Sequence, residues 1–151
     1  MKVRANRPRY TKRPGLSFAS VVLLLVLLAA PVAALTRIAT TIDWRLLAIL
    51  PLGLSTLAFV AYWSDKRRAE AGEWRVPEST LQVLGLLGGW PGAFVAQRTF
   101  RHKTAKTSFQ VVFWLVVLLH QFAAIDSLLE WRLSRDAIHA IKSPGSSLTS
   151  G

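Results

Sequence analysis

The chain has 151 residues, enough for one domain, and no cysteine, which excludes disulfides, thiol catalysis and cysteine-ligated metals. It is 52% hydrophobic, with a mean hydropathy of +0.35 and a formal net charge of +11. The apolar residues gather into runs of about 15 to 20, the length scale of a bilayer's hydrocarbon core, and the charges fall between the runs. That layout excludes an ordinary soluble domain and predicts an all-α, polytopic membrane protein.

Residues 1–15 carry six cations and no acid, broken by Pro8, Pro14 and Gly15; they read as a disordered basic tail on the cytoplasmic side, or as an arm that binds RNA or anionic lipid. Residues 16–35 are uncharged, and 20 helical residues reach about 30 Å, enough to span. The basic start followed by an apolar run also resembles a secretory signal peptide. The run exceeds a usual signal core and a second one follows at once, so it is read as a retained first span. Pro31 is expected to kink its last turn. Residues 36–43 form a short connector.

The second span covers residues 46–63, bracketed by Trp44 and by Tyr62 and Trp63 as interfacial aromatics, and the helix is expected to continue to residue 71. Lys66 with Glu70, and Asp65 with Arg68, have the spacing of pairs on one helix face. Gly72 suits a C-terminal stop. Pro77 fits the first position of the next helix and Glu78 its positive end.

Residues 77–97 hold an apolar run broken by Gly88, Gly89, Trp90, Pro91 and Gly92. Sixteen apolar residues reach about 24 Å, short of a full core. Two readings stay open. One is a kinked fourth span, with Gly85/Gly89 and Gly88/Gly92 admitting a close neighbour helix. The other is a re-entrant hairpin of two half-helices, tolerated where protein buries the broken backbone. The flanking loops both carry cations: Lys66, Arg67, Arg68 and Arg75 on one side, Arg98, Arg101, Lys103 and Lys106 on the other. Both therefore favour the cytoplasm, which a hairpin permits and a span does not.

The last span is predicted at residues 108–125, capped by Thr107 or Ser108. His120 and Gln121 lie inside it, positioned for an interhelical hydrogen bond or a functional role. Residues 126–142 mix charges with regularly spaced apolar side chains, as either an amphipathic helix or the end of the last span. Residues 143–151 read as a disordered end.

Between Tyr62 and Phe109 the pattern is specific. Asp65-Lys66, Arg75-Val76-Pro77-Glu78, Gly88-Gly89-Trp90-Pro91-Gly92 and Phe100-Arg101-His102-Lys103-Thr104, in that order, resemble the signature of a bacterial membrane family known as domain of unknown function 1294. The resemblance implies a helical membrane domain over about residues 16–125 and no established activity. Many members carry an N-terminal cold-shock domain. Here residues 1–15 match no aromatic RNA-stacking motif, so nucleic acid is not an expected partner.

In the hairpin reading Asp65, Lys66, Arg75, Glu78, Arg98, Arg101, His102 and Lys103 share one cytoplasmic surface. Lys66, Arg75, Arg98, Arg101, Lys103 and Lys106 are the anion-binding candidates, because Arg offers a planar fork and Lys a point charge to a phosphate. The bland alternative is that Asp65 and Glu78 neutralise these cations to close the loops. His102, oriented by Asp65 or Glu78, is the candidate general acid or base. Pro77, Gly88, Gly89, Pro91 and Gly92 carry a structural motif. The histidines at 102, 120 and 139 lack metal-ligand spacing, and no cofactor is expected. The resulting expectation is a multi-pass protein of the bacterial cytoplasmic (inner) membrane, N-terminus cytoplasmic. It would be a non-enzymatic module docking anionic lipid or a partner at its basic surface. The alternative is a small membrane enzyme or transport component acting on a lipid-like or anionic substrate.

Overall fold

The computed structural model describes residues 15–40, 43–101 and 103–142; the expected tails at 1–14 and 143–151 lie outside them. All regular structure among the described residues is helical: α1 (Phe18–Ile38), α2 (Trp44–Ala71), α3 (Glu78–Leu84), α4 (Trp90–Phe100), α5 (Thr107–Leu128) and α6 (Arg132–Lys142). A wide turn of π-type, Gly85–Gly89, joins α3 to α4. Three helices are long and apolar enough to cross a membrane, within Phe18–Ile38, Leu47–Ala71 and Thr107–Leu128.

Local chemistry sets the helix ends. Ser17 caps α1, its hydroxyl accepting from the Ser20 N–H at 3.2 Å. Asp43 caps α2 through the Arg45 N–H at 2.9 Å, so α2 takes in Trp44 and Arg45 and begins two residues before the expected start. Gly72 ends α2 in the left-handed region at φ 70°, as its position suggests. Pro77 stands one residue before α3 with φ −55° and ψ 137°, rather than at the first helical position. Its extended ψ lets the chain turn into the helix at Glu78. Neither Thr107 nor Ser108 caps α5. Both are helical, and Lys106 occupies the cap with no side-chain bond.

Contacts between helices give the topology. The Arg37 guanidinium donates to the Leu128 carbonyl at 2.6 Å and pairs with Glu130 at 3.0 Å, so α1 and α5 end together. Farther back, Gln121 Nε2 donates to the Leu27 carbonyl at 2.7 Å. The two helices therefore run side by side in the same direction. That bond also answers a covalent fact. Pro31, four residues after Leu27, has no N–H to offer its carbonyl, and Gln121 supplies the missing donor. α1 continues through Pro31 to Ile38, three residues past the expected end.

α2 runs the opposite way and makes only marginal contact with α1 and α5. The α3–α4 pair is wedged between them. Antiparallel to α2, α3 descends until Gly88 faces the Leu54 side chain; α4 returns parallel to α2, with Gly92 against the Ser55 backbone and Phe100 ring-to-ring with Phe59 at 5.2 Å. The broken segment is thus a helical hairpin whose two ends share one end of the bundle. Its tip faces Val116 and His120 of α5, about 14–20 Å from the start of that helix at 1.5 Å per residue. The core lies where the hairpin meets both neighbours, around Ala58, Tyr62, Leu81, Phe94, Phe109 and Val117.

α6 is a helix of its own. Glu130 and Trp131 take left-handed conformations at φ 58° and 62° and break the chain after α5. The buried Asp126 carboxylate then caps α6, accepting from the Leu133 N–H at 3.0 Å and from the Ser134 hydroxyl.

Candidate functional site

The hairpin depends on where its glycines stand. Gly88 has φ 113°, a conformation closed to L side chains, and reverses the chain. A Cβ on Gly89 would lie 2.7 Å from the Leu54 carbonyl oxygen and 3.1 Å from the Ala58 Cβ. One on Gly92 would lie 2.7 Å from the Ser55 Cα. The close face is therefore Gly89 with Gly92, three residues apart, and not the four-residue pairs expected from the sequence. Trp90 and Pro91 do not break the chain; they form the first turn of α4, where a proline costs no hydrogen bond. The break itself is confined to the preceding turn.

This fold-back assembles the mouth of the hairpin. Lys103 Nζ lies 3.1 Å from Asp65 Oδ2 and 3.5 Å from Glu78 Oε1. The Asp65 side chain is fully buried and that of Lys103 is 9% exposed. Asp65 also accepts from the Val76 N–H at 3.0 Å, tying down the α2–α3 loop. Lys106 Nζ reaches both Glu78 oxygens, at 2.9 and 2.8 Å. Its hydrogen bond, with the nearby Lys103 charge, holds the Glu78 carboxyl below its ordinary value of 4.5. Asp65 on α2 and Glu78 at the start of α3 are thus tied by Lys103 and Lys106 to the loop before α5.

A buried polar chain supports the loop from within. Gln97 Nε2 donates to the Tyr62 hydroxyl at 3.1 Å, and Gln110 Nε2 donates to Gln97 Oε1 at 2.6 Å and to the Lys103 carbonyl at 3.0 Å. Sequence reasoning missed this chain. Its only signal is the placement of two glutamines in apolar helices, where each needs a partner.

The remaining cations spread around the mouth. Lys66 pairs with Glu70 at 3.6 Å and stands 5.7 Å from the Phe100 ring centre. Arg67 stacks on Trp63 at 4.2 Å and Arg98 on Phe94 at 5.1 Å. Arg101 is exposed, with φ 49°, just past α4, and Arg75 is exposed in the α2–α3 loop. All eight cations between residues 66 and 106 fall at this end of the bundle; Arg37, Arg45, Arg132 and Arg135 fall at the other. His102 lies outside the described residues. His120 is bound to its own helix, Nδ1 lying 2.8 Å from the Val116 carbonyl oxygen. Among the described residues no three His, Asp or Glu converge as a metal site needs.

The site is thus a charged hairpin mouth on an all-helical bundle of membrane-compatible helices. Residues 55–109 match the family described as "Protein of unknown function (DUF1294)", and the resemblance carried by the DK, RVPE, GGWPG and FRHKT motifs holds for this segment. The matched stretch opens at Ser55, the contact of Gly92, and closes at Phe109, whose ring lies 6.1 Å from that of Tyr62. It is the hairpin and its cradle. "Uncharacterized protein YsdA" of Bacillus subtilis (strain 168) is 39% identical over 46 residues, which are 30% of this chain and 52% of that protein. The chain thus spans about half the length of the curated relative it matches. No solved structure matches the chain.

Proposed function

We propose that the chain is a multi-pass protein of the bacterial cytoplasmic (inner) membrane that docks anionic lipid at its basic end, without catalysing a reaction. In this reading α1, α2 and α5 span, the hairpin is re-entrant, and the basic end and N-terminus face the cytoplasm. The observation that carries it is the fold-back of α3 and α4, which gathers the cations of both loops at one end. Two further features support it. Only 11% of the apolar windows of α1 and α2 is buried, and 28% of that of α5. Such apolar helices left this bare need lipid around them. The charge asymmetry between the two ends also has the sense of the positive-inside rule.

The docking part rests on a division of labour. Asp65 and Glu78 hold Lys103 and Lys106, so the acids nearest the mouth are occupied in closing it, and Lys66, Arg67, Arg75, Arg98 and Arg101 surround it. Cations so placed gain about 1 kcal/mol each near an anionic membrane surface.

Single-cysteine labelling tests the topology without background, because the chain has no native cysteine. Thr80→Cys, Thr104→Cys and Arg132→Cys variants are exposed in intact cells to a membrane-impermeant thiol reagent. Protection at 80 and 104 with labelling at 132 is expected. Labelling at 104 with protection at 132 would overturn the reading.

A further inference from the structure

Beside the mouth, on the outer faces of α2 and α4, Phe59, Val60, Trp63 and Phe100 wall an open apolar groove of about 270 Å³. Two of its walls carry a cation. Lys66 stands over Phe100, 5.7 Å from the ring centre, and Arg67 over Trp63 at 4.2 Å. Arg101 follows Phe100 directly and is exposed. Here the apolar walls come first along α2 and the cations one turn later, toward the basic end. A phospholipid has the same order of chemistry, acyl chain first and phosphate beyond it.

We infer that this groove is a binding site for one anionic phospholipid of the same leaflet, an acyl chain lying on Phe59, Val60, Trp63 and Phe100 and the phosphate meeting Lys66 and Arg67. The inference rests on the proposed membrane placement and gives the docking surface a specific ligand and seat. Charge complementarity selects the occupant. A zwitterionic lipid would satisfy the groove but bring its own ammonium beside the phosphate, leaving the charge of the cations unneutralised, and free phosphate would meet the cations and leave the apolar walls bare. Arg67 can present two N–H groups to one phosphate, and its stacking on Trp63 fixes the plane in which it does so. Glu70, 3.6 Å from Lys66, is the competing anion. The pair is an i, i+4 one with Glu70 exposed and Lys66 partly so, weak enough to yield to a bound phosphate.

The test uses the full chain in nanodiscs holding a fixed fraction of bromine-labelled phosphatidylglycerol or phosphatidylcholine. Bromine on the acyl chain quenches a nearby indole. The Trp63 share of the fluorescence is taken as the difference between wild type and Trp63→Phe. Phosphatidylglycerol should quench this share at least about fivefold more effectively than phosphatidylcholine, the worth of one cation at an anionic surface. Lys66→Gln with Arg67→Gln should bring the ratio to about one, whereas Arg132→Gln with Arg135→Gln, at the other end, should leave it unchanged. Millimolar inorganic phosphate should not displace the lipid. Equal quenching by the two lipids in wild type, or a ratio untouched by the double substitution, overturns the inference. Should the double variant fail to fold, Arg67→Gln alone, at an exposed side chain, decides. Thermal stability in the two lipids is measured in parallel. Stabilisation by phosphatidylglycerol without selectivity at Trp63 removes the groove and keeps the basic-end reading; loss of both removes both.

Discussion

Gly92→Ala is the sharpest perturbation of the hairpin, because it adds one methyl group and changes no charge. A Cβ at 92 would stand 2.5 Å from the Ser55 carbonyl carbon and 2.7 Å from its Cα. Carbon atoms in good contact are about 3.5–4.0 Å apart, so α4 must withdraw from α2 by about 1 Å. Ser55 cannot yield by a rotamer change, since backbone atoms make the clash. The withdrawal loosens Ala58, Ala93 and Phe94, which pack at the same seam. Overpacking of this kind costs about 1–3 kcal/mol and sometimes more, and backbone contact puts Gly92 at the upper end. For a chain of this size about 3 kcal/mol corresponds to roughly 6–12 °C in Tm. Tryptophan fluorescence during heating in detergent reads this directly. Gly53→Ala, in the same α2 with open space around its Cβ, is the control and should hold or slightly raise Tm, since alanine favours a helix by about 0.5–1 kcal/mol. If Gly92→Ala melts within a degree of wild type while Gly53→Ala behaves as stated, the close seating of α4 on α2 is wrong.

Asp65→Asn should destabilise by about 3–5 kcal/mol, because it leaves Lys103 buried without its main counter-charge. Combining it with Lys103→Met should recover most of that loss, and chemical denaturation of the two variants measures the difference. Gln121→Leu should cost about 1 kcal/mol in wild type and much less in a Pro31→Ala background, where residue 31 regains an N–H for the Leu27 carbonyl; a double-mutant cycle of Tm values checks this. The Glu78 carboxyl is held below 4.5 in the folded chain. Its contribution is therefore complete above that pH and is lost as the pH falls further, through the folded value. The Tm of wild type should drop below pH 4.5 more than that of Glu78→Gln, by a small margin because the pair is partly exposed. Arg101→Gly should add up to about 1 kcal/mol of stability, roughly 2–4 °C in Tm, since φ 49° suits glycine. It should also weaken retention on phosphatidylglycerol vesicles, so stability and docking move in opposite directions.

The apolar runs at residues 16–35 and 108–125 differ from α1 and α5 by at most three residues at either end, because an apolar run of fixed length leaves little choice. The end of α2 is read from Gly72 instead, and α6 starts six residues into the stretch 126–142, which the sequence leaves open. For the broken segment a span and a hairpin both stay open in the sequence. The charge of the two loops favours the hairpin, and the fold-back of α3 and α4 along α2 brings the two loops to one end of the bundle. What the glycines do inside the hairpin was less legible. Spacing by fours pointed to Gly85/Gly89 and Gly88/Gly92, but a helix that restarts at Trp90 changes phase there. The pair facing α2 is then Gly89 and Gly92. At the mouth, spacing placed Asp65 beside Arg68 on one helix face, while the fold turns the carboxylate inward to Lys103, 38 positions along the chain. Local spacing carries no information on a partner that distant. The aromatic groove has the same character. Phe59 and Trp63 share a helix face by their spacing, but Phe100 reaches them only once α4 has returned along α2.

The placement of the hairpin also orders the assembly of the chain. Helices adjacent in sequence are usually adjacent in space, yet α1 and α2 barely meet. α2 finds its partner only when residues 78–100 have been made, and α1, beyond a small contact with α4, only with α5, through bonds to residues more than 90 positions later. During synthesis the first two helices must therefore wait unpaired. A nascent chain ending before residue 107 holds α2 and the hairpin as one unit and leaves α1 without its main neighbour. The stretch from Gln121 to Glu130, made after the hairpin, is the one that locks the first helix in place.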